Sequence, residues 1–432
     1  MTRFIVSLLG GLTLCFALNA QGQSVDFDRY FTDATLRIDY QFIGTAKTQQ
    51  IAVSELRKSN HWYGRRCNLD TLLLAGNGQI TMRDIATRQT LYAYSFSTLF
   101  QEWQNTEEAT RLTKSFENVF LLPMPREAVD VEVTLFDSHR RVTAMLTHRV
   151  DPTDILIRAL SDVPRYEVKE LLRSGAPSEC IDVAIIAEGY TAEEMPAFYA
   201  KAQQTCDEIM RYQPFADHKA QFNFYAVGAE SDESGISIPG QGLWKQTALG
   251  SNFNTFYSDR YLTTLRLTTL HNALSGVPYE HIIILANTDN YGGGGIYNSY
   301  EMTAANHRAF NPVVVHEFGH SFAGLADEYA YDDQYEEAYF ANVEPWEPNI
   351  TTLADFSVKW NDMLDKPLRP GEKCREPQGD TPGIIEGAGY QSRGVYRPFH
   401  DCRMRTNAHP TFCAVCCRAI ERIINYYTVQ QH

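Results

Sequence analysis

Long apolar runs are almost absent from this 432-residue chain. The one exception spans residues 4–17 (FIVSLLGGLTLCFA), and nothing after it is long or apolar enough to cross a bilayer. Positive charge is also scarce: 38 Lys and Arg face 53 Asp and Glu, a formal net charge of −15. That balance disfavours a nucleic-acid partner, because nothing would offset phosphate repulsion. Internal repeats and low-complexity tracts are missing too. The one glycine run, residues 291–298 (YGGGGIYN), has no Lys-Ser/Thr after it and lacks the Rossmann spacing, which argues against a nucleotide site. What remains is ordinary for a globular protein, with 44% apolar and 21% charged residues, and the length suits two domains after processing.

The terminal run carries compartment information. Arg3, a short apolar core and Leu18-Asn19-Ala20 ahead of a polar stretch read as a secretory signal over residues 1–20. The expected location is secreted or periplasmic. A lipoprotein anchor would use Cys15, but Leu14 stands before it where a small residue belongs. Eight of the nine cysteines lie beyond the signal, an even count that suits disulfides in an exported protein. Five of them crowd together: Cys374, Cys402, Cys413, Cys416 and Cys417. Cys413-x-x-Cys416 also reads as a zinc knuckle or a redox pair, but export favours disulfides.

Residues 25–150 look all-β. Runs at 35–40 (TLRIDY), 79–84 (QITMRD), 90–96 (TLYAYSF) and 129–136 (VDVEVTLF) alternate apolar and polar side chains between turn-forming residues. A β-sandwich accessory domain is expected there, without catalytic groups. Residues 151–178 read as a charged, partly helical connection. From Cys180 onward, apolar strands at 181–187, 222–227 and 281–287 alternate with helical stretches, which predicts an α/β catalytic domain over about residues 165–430. Thr191 and Glu194 form a capping box at the start of a helix reaching about Tyr212.

The chemistry is concentrated in residues 311–329 (NPVVVHEFGHSFAGLADEY). Asn311 suits an N-cap, Pro312 the first helical position and Gly324 a left-handed end, so a helix is expected to about Ala323. His316 and His320, four apart, share one face and can grip one ion. Glu317 beside them can serve as general base without ligating. A catalytic zinc needs a third protein ligand and an open position. Asp327, brought back after the helix breaks at Gly324, is the first choice; Glu328, His400 and His409 are rivals. The acidic run 327–337 (DEYAYDDQYEE) hints at calcium but lacks the spacing of an EF-hand. The glycines Gly293, Gly294 and Gly295 suit an edge whose bare backbone lies against an extended peptide, or else a flexible loop.

His-Glu-x-x-His followed by Gly-Leu-Ala-Asp-Glu-Tyr resembles peptidase family M64, the IgA-peptidase family. Further matching segments are 187–191 (AEGYT), 250–261 (GSNFNTFYSDRY), 291–298 and 386–407 (EGAGYQSRGVYRPFHDCRMRTN). The resemblance implies a zincin-like, metzincin-like catalytic domain with a mixed sheet, an active-site helix and one zinc, following a β-rich domain. It places Met404 in a methionine turn beneath the ligands. In the wider metzincin pattern a glycine lies three residues after the second histidine and the third ligand three later. Those positions are Ala323 and Ala326 here, with Gly324 and Asp327 each displaced by one.

The expected activity is zinc-dependent endopeptidase hydrolysis of protein or peptide substrates (EC 3.4.24-like), with Tyr329, Tyr396 and Arg397 as candidate oxyanion partners. Two rival readings are a zinc hydrolase of non-peptide amides or esters and a non-catalytic binding protein on a peptidase scaffold. Immunoglobulin A is not implied as substrate, and the sequence leaves oligomeric state open.

Overall fold

The computed structural model describes residues 25–331, 339–369 and 371–429. The expected signal at 1–20, Cys15 and most of the acidic run after Asp327 therefore lie outside the described residues.

After a short helical turn, α1 (Phe27–Tyr30), the chain forms β1 (Phe31–Thr45) and β2 (Thr48–Ser59), a hairpin closed by two residues. Then come β3 (Gly78–Asp84), β4 (Thr90–Phe96), the short α2 (Leu99–Trp103), β5 (Lys114–Pro125), β6 (Val129–Phe136), β7 (Val142–Val150) and β8 (Arg158–Ala159). All four runs expected to be strands are strands. They build two four-stranded sheets, β5-β1-β2-β8 and β4-β3-β6-β7. In β6 burial alternates residue by residue, as one buried face of a sheet requires. Phenylalanines join the two sheets: Phe96 on β4 lies 4.4 Å from Phe120 on β5, centroid to centroid, and 6.0 Å from Phe42 on β1.

Residues 151–178 hold no helix. They contribute β8 and β9 (Val168–Leu172), and β9 pairs antiparallel with β11. The open edge of β11 supplied a backbone partner that local helical pattern could not outweigh.

The second region is organised on a six-stranded sheet. Its strands are β9, β10 (Ile181–Glu188), β11 (Phe222–Val227), β12 (His281–Ala286), β13 (Gly293–Ile296) and β14 (Tyr300–Ala304), in the order β13-β14-β12-β10-β11-β9. The four inner strands run parallel, and both edges, β13 and β9, are antiparallel to their neighbours. Every residue of β10, β11 and β12 is buried, which explains their largely apolar character, broken by Asp182, Glu188, Asn223 and His281. The Thr191–Glu194 capping box is present and leads into α3 (Met195–Ile209), three residues shorter than expected.

Alternate residues of β10 serve opposite faces. Ile181, Val183 and Ile185 pack with Phe318 and Phe322 of α5 (Phe310–Ala323) and Ile423 of α6 (Ala414–Thr428). Ala184 and Ile186 face α4 (Leu267–Ala273) and join the same core as the aromatic side chains of the first two sheets. The N-terminal sheets thus cover the far face of the central one. Polar ties reinforce the contact: Arg37 and Arg57 both donate to Asn272 Oδ1, at 2.8 and 2.6 Å, and Ser97 N donates to Tyr297 O at 3.0 Å. A three-stranded sheet, β15 (Ala330–Tyr331), β17 (Tyr390–Arg397) and β16 (Ile385–Ala388), flanks α5 beyond its C-terminus. No helix among the described residues is long and apolar enough to cross a membrane.

Candidate active site

Helix α5 starts one residue before the expected N-cap. Ala309 is the cap and makes no side-chain bond, while Asn311 is turned toward α3, accepting from Gln204 Nε2 at 2.6 Å. The far end is as expected. Gly324 adopts φ 60°, ψ 29°, and a Cβ there would come within 2.6 Å of Trp346. This left-handed residue ends the helix, and the chain then turns so that Asp327 faces the histidines.

His316 Nε2 and His320 Nε2 lie 3.0 Å apart, and Asp327 Oδ1 lies 3.0 and 3.3 Å from them. Backbone carbonyls fix both rings: His316 Nδ1 lies 3.0 Å from Arg403 O and His320 Nδ1 2.6 Å from Leu325 O. With Nδ1–H donating to those carbonyls, each Nε2 is left as a lone pair aimed at the other and at a carboxylate. Asp327 Oδ1 is buried and has no donor other than the two rings. Three acceptors facing one point fit a divalent cation. A tetrahedral zinc with bonds of 2.0–2.1 Å would need edges of roughly 3.3 Å. The other Asp327 oxygen, Oδ2, accepts from Tyr390 Oη. Without a cation the three groups share protons. Burial pulls His320 down, but the charge and hydrogen bond of Asp327 and the charge of Glu317 outweigh it and raise the ring to about 9. Burial alone would raise Asp327, yet the two histidines hold it well below the carboxylate range.

A Glu317 carboxylate oxygen lies within 4.8 Å of a ring nitrogen of each histidine. Burial pushes its carboxyl above the usual range, against the pull of His316 and His320. That places a proton-accepting group beside the three donors and outside them.

The rival ligands are elsewhere. Glu328, next in the chain, points away from the histidines and accepts from Asn349 Nδ2 at 3.0 Å and Cys416 Sγ at 3.2 Å. His400 pairs with Glu376 at 2.7 Å, and His409 folds onto Thr411 O at 2.8 Å. Met404 is fully buried against the helix: a Cβ on Gly319 would meet its sulfur at 2.8 Å. Its carbonyl accepts from Glu328 N at 2.8 Å. Tyr329 lines the cleft beside the histidines, whereas Tyr396 is buried against Thr351 and lies outside the cleft lining. Arg397 is likewise turned inward, onto the carbonyls of Glu386, Gly387 and Phe399.

The glycine run is an edge strand. A Cβ on Gly295 would lie 2.3 Å from Glu317 O and 2.8 Å from His320 Cβ, and one on Gly293 would lie 3.2 Å from Glu317 Oε1. Gly294 faces the other way, where a Cβ would meet the Tyr261 ring at 2.7 Å. Close packing of β13 on α5 thus requires the bare backbone, and it brings main-chain donors and acceptors beside the donor cluster. Of the outer edge, Gly293 makes an isolated bridge to Tyr261.

Both regions enclose the site. A cleft of about 1370 Å³ is lined on one side by His316, Glu317, His320 and Asp327, and on the other by Gln101, Glu102 and Arg140 of the N-terminal region. Tyr261 Oη donates to Glu102, joining the walls. The family description "IgA Peptidase M64" matches residues 169–371 and 372–424, and "Peptidase M64 N-terminus" matches 26–147. The chain belongs to peptidase family M64. It is therefore a peptidase from a family of metallopeptidases, and its His316, Glu317 and His320 form one candidate metal-binding group. No curated protein matches it.

Three contributors escaped the sequence reading. Tyr390 lay inside a matching segment, but its φ of 67° and its reach to Asp327 exist only in the folded chain. A bulky residue held at positive φ beside a buried carboxylate that faces two histidines is a recognised mark of a functional position. Glu102 comes from the domain expected to carry no catalytic group. Glu188, in the segment AEGYT, accepts from Leu249 N, Ser251 N, Ser251 Oγ and Thr247 Oγ1 at 2.5–2.8 Å and so ties together two of the family-matching segments.

Proposed function

We propose that this M64 peptidase is an exported, zinc-dependent endopeptidase in which His316, His320 and Asp327 hold one zinc ion and Glu317 is the general base. The convergence of two ring nitrogens, each fixed through its Nδ1, and a buried carboxylate oxygen with no donor but those rings carries the reading. When bound, zinc polarises the scissile carbonyl and acidifies water. Glu317 accepts the proton of the attacking water and delivers it to the departing amine. The Tyr390 hydrogen bond holds Asp327 in its ligating orientation, and the Arg403 and Leu325 carbonyls hold the rings. Tyr329, in the cleft, is the nearest candidate for steadying the developing oxyanion. Substrate lies extended along Gly294 and Gly295, exchanging main-chain hydrogen bonds with β13.

The same reading takes residues 25–150 as a β-sandwich domain, 165–430 as a zincin-like catalytic domain with Met404 in the methionine turn, and 1–20 as a cleaved export signal. A cleft of about 1370 Å³ exceeds what a small amide or ester needs, and so favours polypeptide over small substrates. The deciding experiment compares the purified protein with Glu317→Gln, measuring bound metal and the new termini made in a complex protein mixture. Equal zinc with turnover confined to the unmodified protein supports the assignment. Absent zinc, or equal cutting by the variant, removes it.

A further inference from the structure

The sequence reading assigned the C-terminal cysteines to disulfides, yet Cys67, Cys180, Cys206, Cys374, Cys402, Cys413, Cys416 and Cys417 are all free thiols in the structure. Three of them meet. Donor atoms of Cys402, Cys413, Cys416 and Glu328 all lie within 4.8 Å of one another, behind the segment that carries Asp327.

We propose that Cys402, Cys413, Cys416 and Glu328 form a second metal site, a structural zinc centre separate from the histidines. Cys402 Sγ and Cys416 Sγ are 3.8 Å apart. Bonded sulfurs would be about 2.05 Å apart, whereas the edge of a tetrahedron with Zn–S bonds of about 2.3 Å is roughly 3.8 Å. Glu328 Oε1 lies 3.2 Å from Cys416 Sγ, near the shorter edge expected between an oxygen and a sulfur ligand.

The surroundings point the same way. Cys402, Cys416 and Glu328 are fully buried and Cys413 nearly so. Glu328 Oε2 is buried with no hydrogen-bond partner, a costly state for a carboxylate unless a cation joins it. Cys413 is the N-cap of α6 and Cys416 lies in its first turn, where the helix dipole favours thiolates. The Cys413 amide donates to Cys402 Sγ at 3.2 Å, as backbone amides do for metal-bound thiolates. Three sulfurs and one oxygen select zinc over calcium or magnesium, and four protein ligands leave no open position for catalysis.

The centre would pin three segments that build the active site. Glu328 adjoins Asp327, Cys402 lies one residue before Arg403, whose carbonyl orients His316, and α6 packs beside α5.

The test uses the full chain as purified, its Cys416→Ser variant and a His316→Ala/His320→Ala double variant. Metal analysis should find two zinc ions per chain in the unmodified protein and one in each variant. Replacing zinc by cobalt should give thiolate-to-cobalt charge-transfer absorption in the unmodified protein and in the double histidine variant. Because that spectrum needs no cysteine variant, it decides the matter even if Cys416→Ser does not fold. A single zinc lost with the histidines, a cobalt spectrum without the thiolate band, or a disulfide among Cys402, Cys413 and Cys416 in the unreduced protein overturns the proposal. Failure of the catalytic assignment alone would leave the thiolate band in place.

Discussion

The two faces of the central sheet differ in what covers them. One face carries α3, α5 and α6, and with them every donor of the histidine centre except Asp327, which follows the helix. The opposite face carries α4 and the aromatic core of the N-terminal sheets. Chemistry occupies one side and support the other, yet the supporting region also reaches around to wall the cleft through Gln101, Glu102 and Arg140. The N-terminal region is thus a layer of the enzyme rather than an appendage, and its residues contact the space where substrate would bind.

The sharpest way to break this contrast is to remove the cover. A fragment beginning near residue 165 would uncover up to five large side chains, Ile186, Val227, Leu270, Ile282 and Ile284. At roughly 1.5–3 kcal/mol each, that loss equals a typical net stability of about 5–15 kcal/mol. The fragment should be insoluble or unfolded by circular dichroism; a folded, fully active fragment would show that the two regions are independent. Next in size is Glu317→Gln, with an expected loss of about 10²–10⁴-fold in kcat and unchanged metal content. On the same face, Gly295→Ala forces its new methyl into Glu317 O and His320 Cβ, so kcat/KM should fall by on the order of 10²-fold while the far-ultraviolet spectrum is kept. Activity equal to the unmodified protein would mean that β13 is not held as tightly as the packing indicates.

Smaller effects refine the chemical side. Tyr390→Phe removes the hydrogen bond to Asp327 Oδ2 and should weaken zinc affinity by about 10–100-fold, measured by competition with a chelator. The last prediction concerns protons. With His320 raised to about 9 in the metal-free protein, the ring is charged at neutral pH and must lose its proton to bind metal. Zinc affinity should therefore rise with pH up to about 9, and calorimetry of the metal-free protein in buffers of different ionisation enthalpy should detect about one proton released near pH 7. Uptake without proton release would show that the histidines are neutral before the metal arrives.

Features governed by short-range rules were readable in the chain itself. The spacing of His316 and His320, the left-handed stop at Gly324 and the largely apolar strands all follow from local periodicity and glycine chemistry, and the return of Asp327 toward the histidines follows from the turn after the stop. What was hidden depends on pairing across long separations. The strand at 168–172 is a strand because β11 offers an open edge, and Tyr390 finds Asp327 across 63 residues. The C-terminal cysteines were assigned by compartment, a rule about where thiols travel, whereas Cys402, Cys413 and Cys416 stand beside the buried carboxylate of Glu328, 88 residues before Cys416.

The bare strand at the rim of the cleft has one more consequence. If substrate lies along Gly294 and Gly295 as proposed, it meets main-chain groups and no side chains, and would be gripped identically whatever its residues. Discrimination among substrates must then come from the facing wall, much of it supplied by a different stretch of the chain. Catalytic power and taste are written in separate segments, and one can drift while the other stays fixed.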